Sequence, residues 1–187
     1  DLEAKGYLLK NPHGGTAVLN WWNGYSACYD LTNPDAAAHF ISVLKKVQAD
    51  YGIDGFKLDA GDNNCYASAP IVAYDKTATT VDHTTSWAKI GLEFPFNEYR
   101  ACWKMGGQPL VQRLGDKDYS WEAVQSLIPC MTAAGLLGYA YACPDMIGGG
   151  QWTSFLGINS DEFDQTLIVR SAQVHALMPM MQFSVAP

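Results

Sequence analysis

Gly55-Phe56-Lys57-Leu58-Asp59-Ala60-Gly61-Asp62 is the stretch of this chain whose residue types and spacing could do chemistry. The short apolar run predicts a buried strand over 56–59, broken by Lys57 and ended by Asp59 before the turn-prone Ala60-Gly61. In a barrel of parallel strands, the residue at a strand's C-terminal end faces the active-site mouth. A carboxylate there, with a lysine two residues earlier pointing the same way, suits nucleophilic attack on a sugar. On these eight residues alone, an Asp that merely caps the next turn fits equally well.

Such chemistry needs a second carboxyl group. Retaining glycosidases hold two of them roughly 5–5.5 Å apart, one as nucleophile and one as acid/base. Two further aspartates follow predicted strands. Asp116 ends Arg113-Leu114-Gly115-Asp116 after a strand expected over 109–114, and Asp145 follows Pro144 after a strand expected over 139–143. Asp118 falls a turn later, while Asp30, Asp54, Asp75 and Asp82 precede strands or lie inside loops.

The elements that must position these groups alternate. Residues 16–22 predict a nearly continuous buried strand. Asn33-Pro34 is a cap and first-turn pair, and Ala37, Phe40, Ile41, Leu44 and Val47 recur at helical spacing to about Tyr51. With the strand at 56–59, this is strand, helix, strand, the pattern of a parallel crossover. Residues 60–83 form a long polar insertion, of the kind that builds lids or walls. A short helix carrying Trp87, Ile90 and Phe94 is expected next, then strands over 99–103 and 109–114. A helix from Ser120 carries Val124, Leu127, Ile128 and Met131 on one face, with Pro129 as a kink and Gly138 as its end. A last helix, capped by Asn159 or Ser160 with Phe163, Leu167, Val174 and Leu177 inward, leads to a strand over 180–185. About six strand candidates stand against the eight strands and ~250 residues of a complete barrel. The expected organisation is therefore one partial (β/α)8 TIM barrel, α/β in class, over residues 1–187, its opening strands lying upstream.

Composition narrows the classes. Twelve basic against nineteen acidic residues give a net charge of −7, which argues against a nucleic-acid or anionic-membrane surface. No window reaches the ~18 apolar residues of a membrane span. Six Trp and ten Tyr suit a sugar cleft or a large core. Cys28, Cys65, Cys102, Cys130 and Cys143 show no paired ligand spacing, so no metal is called for, and their odd number leaves at least one outside an internal disulfide. Gly148-Gly149-Gly150 has no Lys-Ser after it and does not read as a phosphate loop.

Several ordered motifs carry a family resemblance. They are Trp21-Trp22-Asn23-Gly24, Asp30-Leu31-Thr32-Asn33-Pro34, Tyr51 through Asp59, Arg113 through Asp116, and Trp121. Leu137-Gly138-Tyr139 with Pro144 through Gly149, and Leu177 through Ser184, complete the series. Any one is weak, but in this order they make the chain resemble glycoside hydrolase family 31, whose members are retaining α-glycosidases on a (β/α)8 barrel. Within the family it looks closest to the myogenesis-regulating glycosidase-like branch.

By position, the resemblance implies Asp59 as nucleophile and Asp116 as acid/base. It implies substrate-binding roles for Lys57 and Asp145 and substrate-binding or acid-orienting roles for Arg100 and Arg113, and Trp22 is a candidate for stacking on a sugar ring. His175, on the last helix, reads as structural. No cofactor is implied, and the expected partner is an oligosaccharide or glycoconjugate substrate. The secretory pathway or the extracellular side is favoured on resemblance alone, since the sequence itself leaves the compartment open. Where many members carry an Arg-Asn-His stretch at the last strand, this chain has Ser184 after Gln182-Phe183. That departure, together with the α-galactoside hydrolysis that the resembled branch includes, turns the expectation from α-glucoside toward α-galactoside. Two alternatives remain at this stage: a catalytically silent carbohydrate-binding or regulatory member, against which intact Asp59 and Asp116 count, and a retaining α-galactosidase of families 27 or 36.

Overall fold

The computed structural model describes residues 1–183 and divides into two compact units, Asp1–Met105 and the residues from Gly106 onward. In the first unit, the strand expected over 16–22 shortens to β1 (Leu19–Trp21). A two-residue turn at Trp22-Asn23 carries it into β2 (Gly24–Ser26) as an antiparallel hairpin, with Trp21 opposite Gly24. Ala17 and Leu19 are buried, whereas Val18 and Trp22 are 55% and 65% exposed. That alternation belongs to a one-sided ribbon, so the expected buried strand is corrected.

Helix α1 (Pro34–Tyr51) forms as its signals require. Asn33 accepts the Asp35 N–H through its side chain, Pro34 occupies the first turn, and Gly52 closes the helix in the left-handed region with its N–H on Gln48 O. Strand β3 (Gly55–Leu58) follows after a short connection.

The polar stretch 60–83 is tied down along its length. It contains α2 (Asn63–Tyr66), and its Tyr66 and Ala73 join Leu9, Ala17 and Leu19 in a buried apolar cluster. Val72 N–H donates to Lys10 O, Tyr74 N–H to the Asp30 carboxylate, and Asn20 N–H to Ser68 Oγ. Helix α3 (Thr80–Ile90) opens on a capping box between Thr79 and Asp82. Hydrogen bonds from the Thr79 hydroxyl and N–H hold the Asp82 carboxyl down to about 2.

The next strand, expected over 99–103, lies earlier as β4 (Phe96–Tyr99). Its polar residues are buried, which hides it from a hydrophobicity pattern. Asn97 sits at 7% exposure with its amide donating to Gly91 O and Phe94 O, and Glu98 sits at 6%. Strands β3 and β4 pair in parallel, with Lys57 opposite Glu98 and Leu58 opposite Tyr99.

The second unit repeats the plan. Strands β5 (Val111–Arg113) and β6 (Tyr141–Cys143) are parallel neighbours joined by α4 (Trp121–Leu136), which Ser120 caps and which continues through Pro129. Leu127 is buried on α4, but Ile128 is 58% exposed and departs from the expected inward face. Two-residue β7 (Met146–Ile147) pairs in parallel with β8 (Gln182–Phe183), which begins later than the strand expected over 180–185, whose residues from 184 lie outside the described ones. The last helix, α5 (Gln165–His175), starts later than expected. Asn159 caps a separate 3-10 turn, while Asp164 caps α5 by accepting the Thr166 and Leu167 N–H groups. Leu167 is buried, yet Leu177 lies beyond the helix end and is exposed. His175 is buried, with Nδ1 donating to Ser171 O.

Candidate active site

Asp59 stands immediately after β3, where the chain turns sharply. Ala60 and Gly61 both take positive φ, 63° and 81°. The turn is pinned by Thr84 Oγ, which donates to Gly61 O at 2.7 Å in a buried contact. A Cβ on Gly61 would fall 2.1 Å from the Trp87 indole, so α3 packs directly onto the turn that carries Asp59. Gly61→Ala is expected to destabilise the protein by about 2–5 kcal/mol. The left-handed backbone contributes ~1–2 kcal/mol and the overpacking ~1–3 kcal/mol. Denaturant unfolding of the full-length variant checks this.

The carboxylate does not stand alone. Arg100, just past the end of β4, places Nη1 3.5 Å from Asp59 Oδ1 and donates through Nη2 to Asp62. Its guanidinium lies 5.9 Å from the centre of the Trp22 ring, a cation–π distance. Lys57 Nζ sits 3.5 Å from the buried carboxylate of Glu98, with the lysine side chain still 43% exposed. A cavity of about 370 Å³ opens beside Asp59, lined also by Trp21, Trp22, Tyr29, Phe40, Tyr66 and Trp87. Aromatic walls with one carboxylate at the rim suit the apolar faces and hydroxyl edges of a sugar. In this unit the structure brings together Trp22, Asp59 and Arg100 with Asp62, and pairs Lys57 with Glu98; Asp62 and Glu98 are the members that sequence reasoning missed. Glu98 could have been found from the register, because a carboxylate buried in a strand needs a cation to offset its desolvation and Lys57 is its parallel partner.

The second unit gathers Arg113, Asp116 and Asp145. Arg113 closes β5 at 3% side-chain exposure, and its Nη1 donates to Asp116 Oδ1 at 2.7 Å while lying 3.4 Å from Asp145 Oδ1. Asp116 keeps 36% of its side chain exposed, whereas Asp145 is fully buried. The other oxygen of Asp145 accepts the Lys117 N–H at 2.7 Å. Burial pushes the Asp145 carboxyl up from its ordinary value, opposed by the Lys117 N–H and the Arg113 charge. A solvent-reachable carboxylate and a buried one thus share a single guanidinium.

A family model for the Glycosyl hydrolases family 31 TIM-barrel domain matches residues 1–186. This chain belongs to glycoside hydrolase family 31. Its parallel strand pairs are accordingly staves of a (β/α)8 barrel. The myogenesis-regulating glycosidase of Mus musculus is 31% identical over 191 residues, covering 96% of this chain and 26% of the mouse protein. The sulfoquinovosidase of Escherichia coli K12 is 24% identical, covering 95% of this chain and 27% of its own length. Among solved structures, a family 31 sulfoquinovosidase from E. rectale, bound to an aza-sugar inhibitor, superposes with a TM-score of 0.80. It is 22% identical over 97% of this chain and 28% of that one. The endoplasmic-reticulum glucosidase II complex gives a TM-score of 0.77 at 17% identity, covering 97% of this chain and 21% of that one. Both likenesses concern the fold. The chain spans about a quarter of the length of the curated relatives it matches.

Proposed function

We propose that this family 31 chain carries the catalytic aspartates of a retaining, exo-acting α-glycosidase. The observation that carries the reading is Asp59 itself, a carboxylate at a strand's C-terminal end, beside an aromatic-walled cavity and aimed by Arg100. Asp59 attacks the anomeric carbon as the bond to the leaving oxygen breaks, and Asp116 gives that oxygen a proton. Water then attacks the covalent intermediate, Asp116 takes its proton, and the sugar leaves with Asp59 restored. Lys57 and Arg100 hold ring hydroxyls, and Trp22, 65% exposed, offers a face for a sugar ring. Arg113 fixes the Asp116 carboxylate at 2.7 Å. The substrate is a terminal α-linked sugar on an oligosaccharide or glycoconjugate.

An α-galactoside is favoured, with α-glucoside next. The reading draws support from the motifs that resemble a branch including α-galactoside hydrolysis and from Ser184 in place of the histidine usual in other members, although Ser184 lies outside the described residues. The two sugars differ only in whether the C4 hydroxyl is axial or equatorial. A site built to pair one orientation leaves polar groups unpaired with the other. Comparing kcat/KM of the full-length protein on 4-nitrophenyl α-galactoside, α-glucoside and α-sulfoquinovoside tests this. A preference for galactoside of at least about tenfold, some 1.4 kcal/mol, is expected. A preference for either other sugar overturns the sugar assignment, and turnover of no α-glycoside overturns the activity.

A further inference from the structure

We propose that Asp145 is a positioning residue for the acid/base, acting through Arg113 and the Lys117 amide, and that Gly148-Gly149-Gly150 folds closely over it for that purpose. The proposal rests on the assignment of Asp116 as acid/base and deepens it.

A carboxylate that touches a sugar needs an open face, and Asp145 has none. It is fully buried, and each of its oxygens faces a donor from the acid/base segment. Oδ2 takes the N–H of Lys117, the residue that follows Asp116, and so fixes the backbone from which Asp116 projects. Oδ1 lies 3.4 Å from Arg113 Nη1, the same nitrogen that grips Asp116 Oδ1 at 2.7 Å. Asp145 thereby stops the guanidinium from swinging away from Asp116. Its backbone adopts a φ of 100°, a strained conformation for a residue with a side chain, which surrounding contacts must hold.

The glycine run supplies those contacts. A Cβ on Gly150 would lie 2.6 and 2.8 Å from the two carboxylate oxygens of Asp145. One on Gly149 would lie 2.7 Å from both Lys117 O and Asp118 O. Gln151 N–H then donates to Lys117 O at 2.9 Å. The loop therefore closes on the carboxylate and on the acid/base backbone together, with no room for side chains at these two positions.

Asp145→Asn keeps the shape but not the bonding. An amide presents one acceptor oxygen and one donor nitrogen, so it cannot accept from Lys117 N–H and face the Arg113 guanidinium at once. In the full-length protein, kcat on an alkyl α-glycoside, whose poor leaving group needs the proton, is expected to fall roughly 100-fold. On the 4-nitrophenyl glycoside the loss should stay below about tenfold, with KM for both within about twofold. A raised KM with kcat unchanged would show that Asp145 holds the sugar instead, and wild-type kinetics on both substrates would equally overturn the proposal. Gly150→Ala keeps every charge and crowds the carboxylate, so the same split between leaving groups is expected, including if Asp145→Asn does not fold. Hydrogen–deuterium exchange across residues 114–118 gives a readout independent of turnover. The Lys117 amide should exchange faster in both variants while peptides of the first unit stay unchanged, and unaltered exchange at Lys117 overturns the clamp. A wild type that hydrolyses no glycoside removes the acid/base assignment, and the exchange result still decides whether Asp145 holds this segment.

Discussion

Asp59→Asn in the full-length protein should lower turnover by roughly 10⁵-fold or more, the scale seen when an enzyme loses its covalent nucleophile. The amide keeps the shape of the carboxylate but cannot form the glycosyl ester. The fold should not suffer. The Asp59 side chain is 37% exposed, and Arg100 retains its charge-assisted bond to Asp62 when the 3.5 Å contact to Asp59 loses its charge. Ion pairs at this exposure contribute about 0–1 kcal/mol, so the melting temperature should stay close to that of the wild type. Turnover within tenfold of wild type would remove Asp59 from the nucleophile's role.

Asp116→Ala should show a different signature. Loss of a general acid costs roughly 10²–10⁴-fold when the leaving oxygen must be protonated, and far less when it is already a good leaving group. Alkyl or disaccharide substrates should therefore fail, while 4-nitrophenyl glycosides still form the intermediate, which then persists because no base activates water. Azide needs no base, so its addition should restore turnover and release the α-glycosyl azide, with the anomeric configuration retained. The variant should fold, because Arg113 keeps Asp145 as a partner and the lost carboxylate was 36% exposed. Equal impairment on both substrate classes, with no azide effect, would move the acid/base role to another carboxylate, Asp118 first.

Where a local signal coincided with the element, the sequence could be read. Asn33-Pro34 and Gly52 bracket α1 with a cap, a preset first turn and a left-handed end, and all three act within one helical turn. Leu58-Asp59 marks the end of β3 because an apolar run meets a charge and then a turn. Reading failed where the deciding partners leave no local sequence pattern. Strand β4 was displaced because Asn97 and Glu98 look like loop residues until their partners, two backbone carbonyls and Lys57, are seen. The anchors of the insertion at 60–83 could not be read, because Lys10, Asn20 and Asp30 lie far away in sequence. Asn159 did cap a turn, but the 3-10 turn before α5 rather than α5 itself, and the local signal cannot tell the two apart. The site divided in the same way. The positions of Asp59 just after β3 and of Asp116 shortly after β5 were legible from the apolar runs ahead of them. The burial of Asp145 and the close approach of the glycine run were not, because both depend on the loop folding over Lys117 and Asp118.

The most direct test of the account is covalent trapping of the nucleophile. A 5-fluoro α-glycosyl fluoride slows both steps and lets the glycosyl-enzyme accumulate. Incubating the full-length protein with the galactosyl and glucosyl versions, digesting it and sequencing the modified peptide by mass spectrometry identifies the residue that forms the bond. The label should fall on Asp59, within the peptide spanning Gly55 to Asp62, and should be absent from Asp59→Asn. A label on Asp116, Asp145 or any other carboxylate, or a label of equal extent in Asp59→Asn, would contradict it.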